Sequence, residues 1–124
     1  IYRAHRIRKM AGGGMRQAGL LAAAATYALD HHIDRLADDH ALMRELASGL
    51  DGIPGVHMES PHTNILFIEL SGPARDRAAG LLDYLRSRGI LATGLYRLRF
   101  VTHLDVDAPG IHQAVQAIRE YFTS

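Results

Sequence analysis

The sequence predicts an α+β fold: a small, mostly antiparallel sheet with helices on one face, preceded by a long apolar helix. Two observations lead there. Segments with the 3.6-residue apolar spacing of helices and short alternating runs typical of strands come in the order helix, helix, strand, strand, helix, strand, strand, helix. The chain has 124 residues, 48% hydrophobic and 22% charged, which allows one domain, or one small domain plus a piece of another, and argues against wholesale disorder.

Taken in order, residues 1–10 read as helical or irregular, and Gly12, Gly13 and Gly14 interrupt any helix there. A helix is expected from Met15 or Arg16 to His31. Leu20, Leu21, Ala22 to Ala25 and Leu29 make it apolar nearly all round, so it should be buried on more than one side. A second helix covers about 33–50, with Ile33, Leu36, Ala37, His40, Met43, Ala47 and Leu50 at inward spacing and Asp38 and Asp39 on a solvated face. Pro54-Gly55 makes a turn, and strands follow at about 56–59 and 64–70. Ser71-Gly72-Pro73 opens a helix at 74–88 with Ala78, Leu81, Leu82 and Leu85 inward, and Gly89 caps its end. Residues 90–93 and 97–103 read as two more strands. Asp107 and Pro109 start the last helix, whose stripe is Ile111, Ala114, Val115, Ile118 and Phe122.

Charge is unevenly placed. Residues 1–29 hold Arg3, Arg6, Arg8, Lys9 and Arg16 and no acid, whereas the remainder is mildly acidic. A basic arm of this kind is expected to meet an anion. Nucleic acid is disfavoured, because no Lys/Arg face continues beyond the arm and few aromatic residues lie near it. The absence of cysteine excludes disulfides, a thiolate nucleophile and a Cys-based zinc site. No HExxH pattern is present, and no metal site is expected. The apolar run 18–29 is shorter than the ~20 residues a bilayer span needs, so no membrane partner is expected. Ile1 followed by Arg3, Arg6 and Arg8 does not read as a signal peptide; it reads as a chain cut from something longer, in a cytoplasmic protein.

Two segments carry candidate chemistry. The first runs from Arg8 through Lys9, Gly12, Gly13 and Gly14 to Arg16, a glycine-rich turn entering a helix between cations. It is either an anion site, using free N–H groups and the helix dipole, or a flexible hinge with solvated cations. It lacks the order of a P-loop. The second is the strand 97–103, where alternation puts Leu98, Phe100 and Thr102 on one face and Arg97, Arg99, Val101 and His103 on the other. With Leu98 and Phe100 toward the helices, Arg99 points out of the sheet's open face. Its partner is either a substrate carboxylate or an internal acid.

The segment Arg8-Lys9-Met10-x-Gly12-Gly13-Gly14-Met15-Arg16-Gln17-Ala18-Gly19, followed by Leu21-Ala22-Ala23-Ala24 and Tyr27-Ala28-Leu29, strongly resembles the low-specificity L-threonine aldolases. So do Arg35-Leu36-x-x-Asp39-His40, Thr63-Asn64-x-x-Phe67 and Arg99-Phe100-Val101-Thr102-His103-Leu104-Asp105-Val106, which fall in the family's order over nearly the whole chain.

The resemblance implies a pyridoxal 5′-phosphate enzyme of the aspartate-aminotransferase fold type, a homotetramer built as a dimer of dimers. Such an enzyme cleaves threonine or allo-threonine to glycine and an aldehyde. It implies that residues 1–31 are the end of the large cofactor-binding domain and 32–124 the small C-terminal domain. The family's Schiff-base lysine lies upstream of Ile1, so no catalytic residue maps onto this chain, which alone is expected to be inert without the N-terminal part. Lys9 and Arg16 match basic residues that reach the cofactor phosphate from a neighbouring subunit. Arg99 matches the arginine that binds the substrate α-carboxylate. Two alternatives stay open: a non-catalytic assembly module, and a related pyridoxal-phosphate β-eliminating lyase.

Overall fold

The computed structural model describes residues 1–123. They divide into two compact units, Ile1–Arg35 and Leu36–Ser124.

The first unit is two helices, α1 (Tyr2–Met10) and α2 (Gly19–His31). Between them the glycine segment closes α1. The Gly13 N–H donates to the Arg8 carbonyl at 2.8 Å and the Gly12 N–H to the Lys9 carbonyl at 3.2 Å. Gly12 has φ +83°, a left-handed value that costs glycine little. The expected helix start at Met15 or Arg16 is therefore corrected to Gly19. Gln17, at φ +41°, breaks any helical run through it. α2 has no buried residue, and Leu20 is 80% exposed. The burial expected from its composition is not provided by the described residues.

The second unit is α3 (Leu36–Leu50), β1 (Val56–Met58), β2 (Ile65–Leu70), α4 (Gly72–Asp76), α5 (Ala78–Ser87), β3 (Arg97–Val101) and α6 (Ala108–Thr123). The strands form one antiparallel sheet in the order β1-β2-β3. Alternation sets its two faces: Leu66, Ile68 and Leu70 of β2 and Leu98 and Phe100 of β3 are buried. Met43, Leu46 and Leu50 of α3, Leu81 and Leu85 of α5, and Ile111 and Ile118 of α6 complete that core. The helices leave the other face of the sheet open, with Phe67 half-buried and Glu69, Arg97 and Arg99 exposed.

Helix ends are closed by side chains, one local and one distant. Asp107 Oδ1 accepts the Gly110 N–H at 2.9 Å at the start of α6. Arg119 of α6 donates to the Gly49 and Asp51 carbonyls at 2.6 and 2.8 Å, satisfying the end of α3. α3 crosses α6 at Gly49, where a Cβ would lie 2.6 Å from Val115 Cγ2.

Three expectations for this unit are corrected. The strand at 90–93 is absent: only Thr93 pairs, in a single antiparallel bridge to Arg99. Gly94 has φ +103°, and a Cβ there would stand 2.0 Å from the Arg97 carbonyl oxygen, so the chain turns away after one pairing. Ile90 and Ala92 pack on the core instead of pairing. The helix expected at 74–88 is two, because the chain breaks at Arg77, whose carbonyl accepts the Tyr121 hydroxyl at 2.7 Å. On α3 the inward stripe is rotated: Asp39, Met43, Leu46 and Leu50 are buried, while Leu36 is 41% exposed. Asp39 is thus not on a solvated face. Its carbonyl accepts the buried Thr102 hydroxyl at 2.7 Å, tying α3 to the chain just past β3.

Candidate functional site

β3 reads Arg-Leu-Arg-Phe-Val and buries every second residue. Its leucine and phenylalanine anchor it on the helices, which forces both arginines onto the open face. Their surroundings differ. The Arg97 guanidinium lies 4.3 Å from the centre of the Phe67 ring. It also stands 3.6 Å from Glu69 and 3.8 Å from Glu59. Such exposed pairs stabilise little, but they balance Arg97's charge locally. Arg99, two residues on, has no ion pair or side-chain hydrogen bond among the described residues. It pairs in register with Phe67 on one side and with Thr93 on the other, and its N–H donates to the Thr93 carbonyl at 2.9 Å. The open face therefore carries one balanced and one unbalanced guanidinium, side by side.

The strand end is held from below. Asn64 Nδ2 donates to the Thr102 carbonyl at 2.8 Å, and the Thr102 N–H donates to the Asn64 carbonyl at 3.0 Å. With the Thr102–Asp39 bond this makes a link between β2, β3 and α3 just beyond Arg99. Asn64 lies in the Thr63-Asn64-x-x-Phe67 motif, but its spacing does not encode the meeting with Thr102.

Lys9 and Arg16 lie in the other unit, and both are exposed. Lys9 lies in the last turn of α1, and its stem runs along Gly14: a Cβ on Gly14 would be 3.1 Å from Lys9 Cδ. Arg8 covers Gly13 in the same way. Arg16 sits in the turn before α2, not within a helix. The Gly12 and Gly13 N–H groups donate to α1 carbonyls and are not available to an anion. The side chains of the segment add positive charge that no acid in residues 1–29 opposes.

Residues 1–72 match the family described as Beta-eliminating lyase. The chain belongs to that family. It is 42% identical over 106 residues to the low specificity L-threonine aldolase of Escherichia coli strain K12, covering 86% of this chain and 31% of that protein. It is 33% identical over 124 residues to the low-specificity L-threonine aldolase 1 of Arabidopsis thaliana, covering 97% of this chain and 35% of that one. The chain thus spans about a third of the length of the curated relatives it matches. Among solved structures, a C-DES mutant with glycine covalently linked to its PLP cofactor superposes with a TM-score of 0.62 at 20% identity, over 83% of this chain and 28% of that one. That likeness shows a shared fold. No helix among the described residues of this family member is long and apolar enough to cross a membrane.

Proposed function

We propose that these residues are the C-terminal third of an L-threonine aldolase-like enzyme, which cleaves β-hydroxy-α-amino acids to glycine and an aldehyde. The observation that carries the reading is Arg99, an unbalanced guanidinium on an open sheet face beside an arginine already balanced. The matches to two threonine aldolases support it.

In this reading Arg99 receives the substrate α-carboxylate. A guanidinium fork matches a carboxylate in two parallel bonds, which fixes rotation about the carboxyl–Cα axis as well as position. The Cα–Cβ bond is thereby oriented for cleavage, a positioning contribution rather than a chemical one. Lys9 and Arg16 take the cofactor phosphate, from a neighbouring subunit of a dimer of dimers. Their chemistry fits a dianion: exposed cations with no competing acid in the segment. When bound, pyridoxal 5′-phosphate supplies the sink for the electron pair left on Cα as Cβ departs. In this reading Lys9, the chain's single lysine, serves the phosphate, and the lysine that holds the cofactor covalently is the family's, upstream of Ile1, as the resemblance to threonine aldolases implies. By itself the 124-residue piece is inert. Residues 1–31 close the large domain, which covers the apolar α2, and 32–124 form the small domain, in a cytoplasmic enzyme.

A second reading, a pyridoxal-phosphate β-eliminating lyase, is favoured by the family description. The two part on products. The intact protein given L-threonine and L-allo-threonine releases glycine and acetaldehyde if it is an aldolase. Ammonia and a keto acid from a β-substituted amino acid, with no glycine from threonine, support the second reading and overturn the first.

A further inference from the structure

We propose that Thr93 is a second carboxylate-binding residue: its hydroxyl donates to the oxygen of the amino-acid α-carboxylate that faces away from Phe67. This deepens, and rests on, the reading of Arg99 given above.

The placement follows from the one bridge that survives where a strand was expected. Thr93 pairs antiparallel with Arg99, and the Arg99 N–H donates to its carbonyl at 2.9 Å. Directly paired residues on antiparallel segments send their side chains to the same face, with Cβ atoms about 4.5–5.5 Å apart. Phe67, Arg99 and Thr93 therefore form a row across the open face, with the guanidinium in the middle. One neighbour is an aromatic ring that cannot hydrogen-bond a carboxylate in its plane. The other is a hydroxyl, exposed and without a hydrogen-bond partner among the described residues.

The bridge is specified by the chain. Gly94, with φ +103° and no room for a Cβ against the Arg97 carbonyl, turns the backbone so that Thr93 alone meets the strand. A carboxylate has about four lone-pair sites, and a guanidinium fork fills two of them. A hydroxyl at the next position along the row is placed to fill a third. Its short, β-branched side chain has few rotamers to lose on binding.

The test uses the intact, cofactor-loaded protein and two probes: glycine, which carries the carboxylate, and methylamine, which lacks it. Binding is measured by calorimetry, and kcat and KM with L-threonine are measured alongside. In Thr93→Val, which keeps the shape, glycine affinity is expected to fall about tenfold and methylamine affinity to hold, as for loss of one bond to a charged group. Thr93→Ser restores glycine binding, and the loss in Thr93→Val appears in KM more than in kcat. Thr93→Ala serves as a second variant, with the same expected pattern. Wild-type glycine affinity in both Thr93→Val and Thr93→Ala, with affinity lost in Arg99→Gln, overturns the role of Thr93 and leaves Arg99 standing. Unchanged glycine affinity in Arg99→Gln overturns the underlying reading. Equal losses for glycine and methylamine in the Thr93 variants overturn the inference as well, because the hydroxyl is then not reading the carboxylate.

Discussion

Replacing Gly94 with alanine tests how the backbone builds the edge beside Arg99. The position has φ +103°, and an added Cβ would fall 2.0 Å from the Arg97 carbonyl oxygen and 2.9 Å from its carbon. Both obstacles are backbone atoms of β3, so no side-chain rotation relieves them. Holding a non-glycine residue in such a region costs about 1–3 kcal/mol, and the turn escapes that cost by opening. Opening breaks the bond from the Arg99 N–H to the Thr93 carbonyl. Taking about 2 kcal/mol as the middle of the range, protection of the Arg99 amide against hydrogen exchange should fall roughly thirtyfold. Amides in the β2–β3 ladder, which depend on the register from Ile65↔Val101 to Glu69↔Arg97, should keep theirs. The assay is residue-resolved exchange on wild type and Gly94→Ala. Unchanged protection at Arg99, or a uniform loss across the second unit, would refute the argument that this glycine acts locally on the edge of the site.

Other consequences are structural and electrostatic. Gly49→Ala should destabilise the second unit by about 1–3 kcal/mol through overpacking against Val115, and Val115→Ala should recover part of that in the double variant, as read by denaturant titration. Thr102→Val should cost about 1 kcal/mol by removing the buried bond to the Asp39 carbonyl, seen as a lowered midpoint with an unchanged slope. The Glu120 carboxyl is held below its ordinary value, first by the Gln116 amide, then by the charge and hydrogen bond of Arg88 and a bond from Tyr84. A carboxyl lowered by folding stabilises the fold above its unfolded value and loses that contribution as pH falls through its lowered folded value. The stability difference between wild type and Glu120→Gln should therefore shrink on acidification through the carboxylate range.

Local patterning carried far in this chain where one rule dominated. In β3 the alternation of Leu98 and Phe100 with Arg97 and Arg99 admits one orientation, because the sheet has a single covered face, and the open position of Arg99 follows. It does not say which arginine is balanced. That depends on Glu59, Glu69 and Phe67, which reach Arg97 through tertiary pairing. The α3 stripe misled because two neighbouring faces of that helix carry apolar residues. Leu46 takes the core position, while Leu36 stays exposed and Asp39 is buried over Thr102. The segment 90–93 has strand-forming residues, yet Gly94 permits a turn that leaves one bridge. In the basic glycine segment composition left an anion site and a hinge both open, and it gave no sign that the Gly12 and Gly13 N–H groups close α1. Such choices turn on φ values and on partners far along the chain, which spacing does not encode.

The central claim is that Arg99, and not its neighbour Arg97, takes the amino-acid carboxylate. The direct measurement is the glycine affinity of the intact protein carrying Arg99→Lys or Arg97→Lys. Lysine keeps the charge but loses the fork, so Arg99→Lys should weaken glycine by about tenfold or more, while Arg97→Lys changes it by less than about threefold. Equal effects of the two substitutions, or a larger one at Arg97, would contradict the account.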